Sequence, residues 1–306
     1  MNGSVAKRQK SSLLKQVYKN RSSYYFMAGY LLIFFTFTVL PVISAMALSF
    51  SNFNLLQSPK WLGLDNYMNL FLKDNVFLSG LKNTLILAAI TGPAGYMLSL
   101  GIAWLINELP PKPRAVLTLL CYAPAISGGA AYIWTIIFNN DANGYLNSIL
   151  YNFGLTNSPV QWLSDPRYML TVSVLVILWM SMGTSFLAFI AGLQGVDRSL
   201  YEAAAVDGLR NRYQELWYIT LPSIKPQLLF GAVISISASF NIGDILTQLF
   251  GYPSNDYAMH TIVLHMQDYG GLRFEMGYAC AVATVLFLMM ILTNMIIQKM
   301  LRGVGK

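Results

Sequence analysis

Apolar runs about 20 residues long recur along this chain, and that is the length a helix needs to cross a hydrocarbon core of about 30 Å. Six can be read, near Tyr24–Leu48, Asn83–Asn107, Ala115–Phe138, Leu170–Leu193, Leu228–Phe250 and Gly277–Leu301. Their length and continuity mark them as spans rather than buried strands. Composition agrees: 55% of residues are apolar and 11% charged, and mean hydropathy is +0.50, where soluble domains carry about 25% charged residues. The sequence therefore predicts an all-α membrane protein of six transmembrane helices. One polytopic domain covers 23–306 behind a basic tail at 1–22, with no linker, low-complexity run or clear repeat.

Orientation follows from the basic residues, because Lys and Arg resist translocation. With the N-terminus inside, fifteen fall in cytosolic segments: Lys7, Arg8, Lys10, Lys15, Lys19, Arg21, Lys112, Arg114, Arg198, Arg210, Arg212, Lys225, Lys299, Arg302 and Lys306. The outer segments hold five, Lys60, Lys73, Lys82, Arg167 and Arg273. Both termini are thus expected in the cytosol, and the net charge of +7 reflects topology and anionic headgroups rather than nucleic acid. The first apolar run exceeds the usual core of a cleavable signal, so an uncleaved first span is expected despite KRQK and Ala45-Met46-Ala47. Cys121 and Cys280 both fall inside spans, which predicts buried thiols rather than a disulfide framework.

Three outer segments are too long for tight hairpins, and Asn, Gly, Ser and Pro punctuate them as turns between short amphipathic pieces. Trp61, Tyr67, Tyr151 and Trp162 suit the membrane interface. All three segments read as short helices lying along the outer surface. In the third, His260 and His265 are five apart in HTIVLH and lack the glutamate and i, i+4 spacing of a helical zinc site, so they read as surface histidines. The chain carries no G-x-x-x-x-G-K-[ST] phosphate loop, so it is not expected to hydrolyse ATP itself, and no nucleophile motif marks it as an enzyme.

A charged insert, EAAAVDGLRNRYQELWYITLP, interrupts the apolar pattern between the fourth and fifth runs. Ser199 is placed to cap a helix with Glu202 at its third position, and Gly208 to end it in the left-handed conformation. A second helix from about Arg210 would set Tyr213, Leu216, Trp217 and Thr220 on one face before Pro222 stops it. The product at 199–222 is a cytosolic helix-turn-helix with an exposed apolar patch, which wants a partner; the bland alternative is an amphipathic loop on the inner leaflet. In the fifth run Asn241, Asp244 and Gln248 recur at i, i+3 and i+7. An Asp at mid-membrane costs about 2.5–3.5 kcal/mol, so it should face a cavity or a protein neighbour. Such amides suit sugar hydroxyls, but they also suit an interhelical hydrogen-bond network. Trp134, Trp179 and Tyr132 offer rings for sugar stacking, against a plain packing role. Gly, Ala and Pro in TGPAGYMLSLGIAW and APAISGGAA allow close helix approach and local unwinding.

The segment EAAAVDG followed by ITLP resembles the EAA signature of ABC importer permease subunits, whose cytosolic coupling helix docks on the ATPase. FLAFIAGLQGVDRSLYEAA just upstream, and WLGLDNY, KNTL, APAISGGAAYIW, GYLNSIL and PVQWLSDP elsewhere, resemble the carbohydrate-importing, maltose and multi-sugar type, in order along nearly the whole chain. Two departures lie in connecting positions: Leu209 follows Gly208 in a slightly longer segment, and GVDRSL stands where the pattern usually has a proline.

The resemblance implies a type I ABC importer transmembrane-domain fold in a prokaryotic inner membrane. It implies ATPase coupling by the unit of Glu202, Ala203, Ala204, Asp207, Gly208, Tyr213, Leu216 and Trp217, the last three equally suited to brace the loop on its own membrane domain, while the polar stripe itself suggests a substrate path along Asn241, Asp244 and Gln248. It implies four kinds of partner: a second homologous permease, two copies of an ABC ATPase that bind ATP and Mg, an external solute-binding protein, and a sugar. This chain is expected to hold no cofactor of its own. The rival reading is a self-sufficient secondary transporter or channel that uses Asp244.

Overall fold

The computed structural model describes residues 21–301, so most of the basic tail at 1–22, together with Arg302 and Lys306, lies outside the described residues. Helix α1 (Arg21–Phe34) passes through a wider turn at Phe35–Val39 into α2 (Leu40–Leu48). Short α3 (Asp65–Leu72) precedes the long α4 (Asn75–Asn107), which Asp74 caps by accepting from the Phe77 N–H at 2.8 Å. Next come α5 (Pro111–Ile126), α6 (Tyr132–Ile137), α7 (Tyr145–Asn152), α8 (Pro166–Trp179) and α9 (Thr184–Gln194). The charged insert supplies α10 (Arg198–Val206), α11 (Arg212–Glu215) and α12 (Leu221–Ser223). The chain ends with α13 (Lys225–Phe240), α14 (Gly243–Phe250), α15 (Ile262–Gln267) and α16 (Met276–Leu301).

Among the described residues four helical stretches are long and apolar enough to cross a membrane: Tyr25–Leu48, Asn75–Asn107, Pro166–Gln194 and Met276–Met300. The pair Arg212–Ser223 and Lys225–Phe240, bent by 81°, makes a fifth if it counts as one span. The third and fifth expected runs are helical but interrupted, α5 from α6 at Ser127–Ala131 and α13 from α14 at Asn241–Ile242. A third break separates α8 from α9 at Met180–Gly183. Ser, Gly and Asn crowd these breaks, residues that favour a helix least or compete for its backbone bonds.

Freed carbonyls in a bilayer need partners, and neighbouring helices provide them. Ser99 on α4 donates to the Ser181 carbonyl at 3.1 Å, and Gln248 Nε2 on α14 donates to the Gly128 carbonyl at 3.0 Å.

The centre is a three-helix contact of α4, α9 and α13, where Ala103, Phe186, Phe189, Ile224 and Leu228 are buried together. In lipid such packing holds by close fit rather than by escape from water. A second cluster, Leu87, Met169, Ile242, Leu246 and Leu264, joins α4 and α8 to α14 and α15. A third, with Leu70, Phe77, Ile262, Ala281 and Val282, ties α3, α4 and α15 to α16. The most apolar stretch of Tyr25–Leu48 buries no residue, and α2 touches the rest through α16. There Gly277 lies against the Ser51 carbonyl, where a side chain would collide, and its N–H donates to the Phe53 carbonyl at 2.8 Å.

Three expectations need correction. The third outer segment does not lie along the surface: Thr261, Ile262, Val263, Leu264 and His265 of α15 are buried against α4 and α16. Its histidines are accordingly interior, not surface, residues, each 2% exposed. Cys121 and Cys280 are free as expected, but each is only partly buried.

Candidate functional site

The charged insert is an open helix-turn-helix, as its pattern predicts, with different joints. Asp197, not Ser199, caps α10: its carboxylate accepts from the Ser199 N–H at 3.0 Å, which holds the carboxyl below its ordinary range. Glu202 therefore sits deeper in the helix than a capping box requires. Gly208 does end the unit, with φ +95, where any other residue would cost of order 1 kcal/mol. Asn211 then caps α11 through the Tyr213 N–H at 3.0 Å. That helix is only four residues long before it widens at Leu216–Thr220. Widening divides the expected apolar face. Leu216 turns partly inward and Thr220 is buried, while Tyr213, Trp217 and Tyr218 stay 65–69% exposed. Nor does Pro222 stop the helix, because Leu221–Ser223 continues it and the bend falls at Ile224, ahead of Pro226.

The unit is fastened to the bundle on one side only. Ala204 is buried, and the Tyr201 hydroxyl meets the Thr220 hydroxyl at 2.8 Å, closing α10 onto the segment before α12. Tyr213 touches Trp104 of α4 at 5.8 Å between ring centres, so one face of it braces the loop. Arg212 reaches Glu215 at 2.8 Å and Glu108 at 3.4 Å. Both pairs are exposed and worth about 0–1 kcal/mol each. Glu202 lines a cleft of about 690 Å³ with Arg198, Arg212 and Glu108, while Ala203, Asp207 and Val206 face outward. The surface combines an exposed Val206, Tyr213, Trp217 and Tyr218 with a charged rim, and α12 and α13 connect it directly to the central helices.

A second candidate lies where the breaks converge. A cavity of about 250 Å³ opens between α4, the α8–α9 break and α13, beside Ser181, Thr184, Ser185, Ser235, Ser239 and Thr91. These hydroxyl residues share a mainly apolar wall with Ile177, Ile234 and Ile245, and the expected amide stripe is not part of it. Asn241 occupies the α13–α14 break and Asp244 opens α14, so the three residues are not on one continuous helix. Asn241 and Asp244 face out of the chain's own core, opposite buried Leu246 and Leu249, while Gln248 is engaged with Gly128. The sequence signal for this cavity was the hydroxyl density of SMGTS and SISAS, which a search for Asn, Asp and Gln passes over. Trp134 and Trp179 pack edge to face at 5.5 Å, beside the α5–α6 break.

On the other side of the bundle the histidines join a buried network. His260 Nε2 and His265 Nδ1 are 3.0 Å apart. His265 Nε2 lies 3.2 Å from Asp74 Oδ2, close enough for an ion pair but not aligned as a hydrogen bond. Asp74 also accepts from the Tyr278 hydroxyl at 2.9 Å. Burial, with the other imidazole nearby, pushes His260 down to about 4, and burial lowers His265 as well. For Asp74 burial acts upward, but the Phe77 N–H, the Tyr278 hydroxyl and His265 outweigh it, so its carboxyl lies below its ordinary value. Asn83 on α4 fixes the segment by donating to the Ala258 and His260 carbonyls at 2.9 and 3.0 Å.

A helical membrane subunit with broken spans and one open loop between its central helices is the class these features define. The family model described as "Binding-protein-dependent transport system inner membrane component" matches residues 17–304, and the chain belongs to that family. It is 33% identical, over 97% of its length and 95% of the relative's, to the probable ABC transporter permease protein YesP of Bacillus subtilis (strain 168). The arabinooligosaccharides transport system permease protein AraP of the same organism is 31% identical over 92% of this chain and 89% of its own. The lactose transport system permease protein LacF of Rhizobium radiobacter is 27% identical over 93% and 95%. Among solved structures, a bacterial ABC transporter involved in the import of the acidic polysaccharide alginate shares the fold, with a TM-score of 0.76 at 23% identity over 97% of this chain and 100% of that one.

Proposed function

We propose that this chain is the permease subunit of an ATP-driven importer of sugars and works by alternating access. The observation that carries the reading is the open loop at 198–223, which leaves Val206, Tyr213, Trp217 and Tyr218 unsheltered while its other side is continuous with α13. A docked ATPase subunit would cover those side chains, and its closure on ATP would move α10–α12 as one piece, driving α13 against α4 and α9. ATP and Mg belong to that partner. Glu202, Ala203, Ala204, Asp207, Gly208, Tyr213, Leu216 and Trp217 form or support the docking unit, with Ala204 and Leu216 acting from its inner side.

The names of AraP and LacF support a sugar as cargo. A second permease would supply the other wall of the path, two ATPase copies the drive, and an external solute-binding protein the loaded sugar. Asn241 and Asp244, facing away from this chain's core, would meet that second wall, with Gln248 releasing Gly128 when the path opens. Both termini lie in the cytosol on the count of basic residues, which sets the loop on the ATPase side.

The test is a gentle detergent pull-down of the intact chain from its native membrane, with an ATPase assay on the eluate. Recovery of an ATPase and a second membrane subunit, both lost on Glu202→Arg or Gly208→Trp in normally expressed protein, is the expected result. Recovery of the chain alone, still moving sugar in liposomes without ATP, would sink the proposal.

A further inference from the structure

Opposite the coupling loop, on the face carrying α3 and the start of α4, lies an open cleft of about 870 Å³. Ligand clefts run to about 300–1,000 Å³, so its size suits a short oligosaccharide end. Its wall is made by the segment after α2, by α3 and by the first turn of α4, and its far side by Tyr269, Glu275 and Tyr278. Nothing in the transport role described above uses it.

The chemistry of the wall is specific. Asn52 and Asn54 each commit their side-chain oxygen to the local backbone, accepting from Lys60 N at 3.0 Å and from Leu56 and Gln57 N at 3.2 and 3.1 Å. That anchors both side chains and leaves their Nδ2 groups without another described partner. The amides of Asn69 and Asn75 make no hydrogen bond among the described residues, and Glu275 is exposed. Anchored amides that present donors, beside a carboxylate that accepts, match vicinal hydroxyls, which both donate and accept. Tyr269 and Tyr278 lie 4.4 Å apart between ring centres at the far side and add apolar surface for the C–H face of a pyranose. The charges are two carboxylates, Asp74 and Glu275, against one ammonium, Lys73. This balance favours a neutral ligand and repels a uronate.

We propose that this cleft is a receiving site for neutral oligosaccharide on the permease itself, separate from the cavity between the broken helices. The inference rests on the sugar-importer reading and adds to it a ligand class and a place. A sugar held here would be taken over from a solute-binding protein before the path opens, and anionic glycans would be turned away.

The test uses the full chain in phosphatidylcholine nanodiscs, without ATPase, titrated with maltotriose, arabinotriose, lactose and trigalacturonate and followed by saturation-transfer NMR. At least one neutral sugar should bind saturably, and trigalacturonate should bind none or at least tenfold more weakly. Asn69→Leu with Asn75→Leu should weaken the neutral sugar at least tenfold, and the cleft-filling Asn69→Trp should abolish binding, each at an unchanged melting temperature. Glu275→Lys should shift preference toward trigalacturonate. Absence of binding by every neutral sugar, equal binding of the uronate, or unchanged affinity in both Asn variants would overturn the proposal. So would loss of solute-binding-protein docking in those variants with no sugar bound by the wild-type chain. ATPase co-purification with the same variants separates the two readings: if it persists while sugar binding is absent, only the cleft is wrong.

Discussion

Two connecting segments of similar length behave in opposite ways. The one at 198–223 leaves Tyr213, Trp217 and Tyr218 largely exposed, closes on itself through the Tyr201–Thr220 hydroxyl pair, and meets the bundle where Tyr213 packs on Trp104 and Arg212 reaches Glu108. The one at 252–275 puts its histidines inside and holds by Asn83, Thr84 and Asp74, with Ile262 N donating to the Thr84 hydroxyl at 3.0 Å. One segment leaves apolar side chains uncovered, and the other is sealed within this chain. Charge count alone does not separate them; what does is whether polar groups on the long helix α4 reach the segment's backbone.

The sharpest way to break that contrast is His265→Ala. It leaves a cavity and removes the partner of a buried His260 nitrogen, so we expect a loss of about 3 kcal/mol, read as a lower melting temperature in detergent. A shift no larger than that of a surface substitution would show that the segment is not sealed. Nearly as telling is acidification. His260 titrates near 4 in the fold against 6.5 free, so the unfolded chain binds more protons between those values. The stability this neutral imidazole contributes is complete above pH 6.5 and lost as the pH falls toward 4. Asp74, lowered in the fold, adds a loss of the same sign below its ordinary range. Melting curves from pH 7.5 to 4 in the wild type and in His260→Gln should diverge on the acid side; parallel curves would remove the histidine from the explanation.

On the open segment the signature reverses. Trp217→Ala with Val206→Ser should leave the melting temperature within a degree or two and weaken ATPase association about tenfold, equivalent to about 1.4 kcal/mol. A large fall in melting temperature without loss of association would make the loop an internal brace. Smallest of all, Arg212→Ala removes only exposed ion pairs and should change stability by less than about 0.5 kcal/mol.

Much of this was legible beforehand because apolar runs and turn residues act locally. The spans at Tyr24–Leu48 and Gly277–Leu301 and the left-handed Gly208 need no knowledge of neighbours. The α10 cap was misplaced by two residues, because Asp197 and Ser199 are both good caps and the choice is made where the chain leaves α9. The widening at Leu216–Thr220 carries no sequence signature, and it alone moves Leu216 off the face of Trp217. The burial of His260 and His265 depends on Asp74, far off in sequence, and on Tyr278 of the next helix, and the cavity on breaks in different helices coming level. Such groupings are properties of the packed bundle, invisible to any reading along one segment.

The contact between Gly277 and the strip Ser51–Phe53 has a consequence in time. The first span emerges early in synthesis and buries nothing in its most apolar stretch, so the bilayer alone can hold it while the rest is made. Its neighbour in this chain, α16, is the last of the described helices. Contacts between distant parts of a chain form slowly because the intervening loop must close first. Here that closure joins α2 and the strip after it to α16, so a chain cut short of Gly277 would lack this contact. Docking of the Tyr25–Leu48 span onto its neighbour is thus a late event, possible only once α16 has been made.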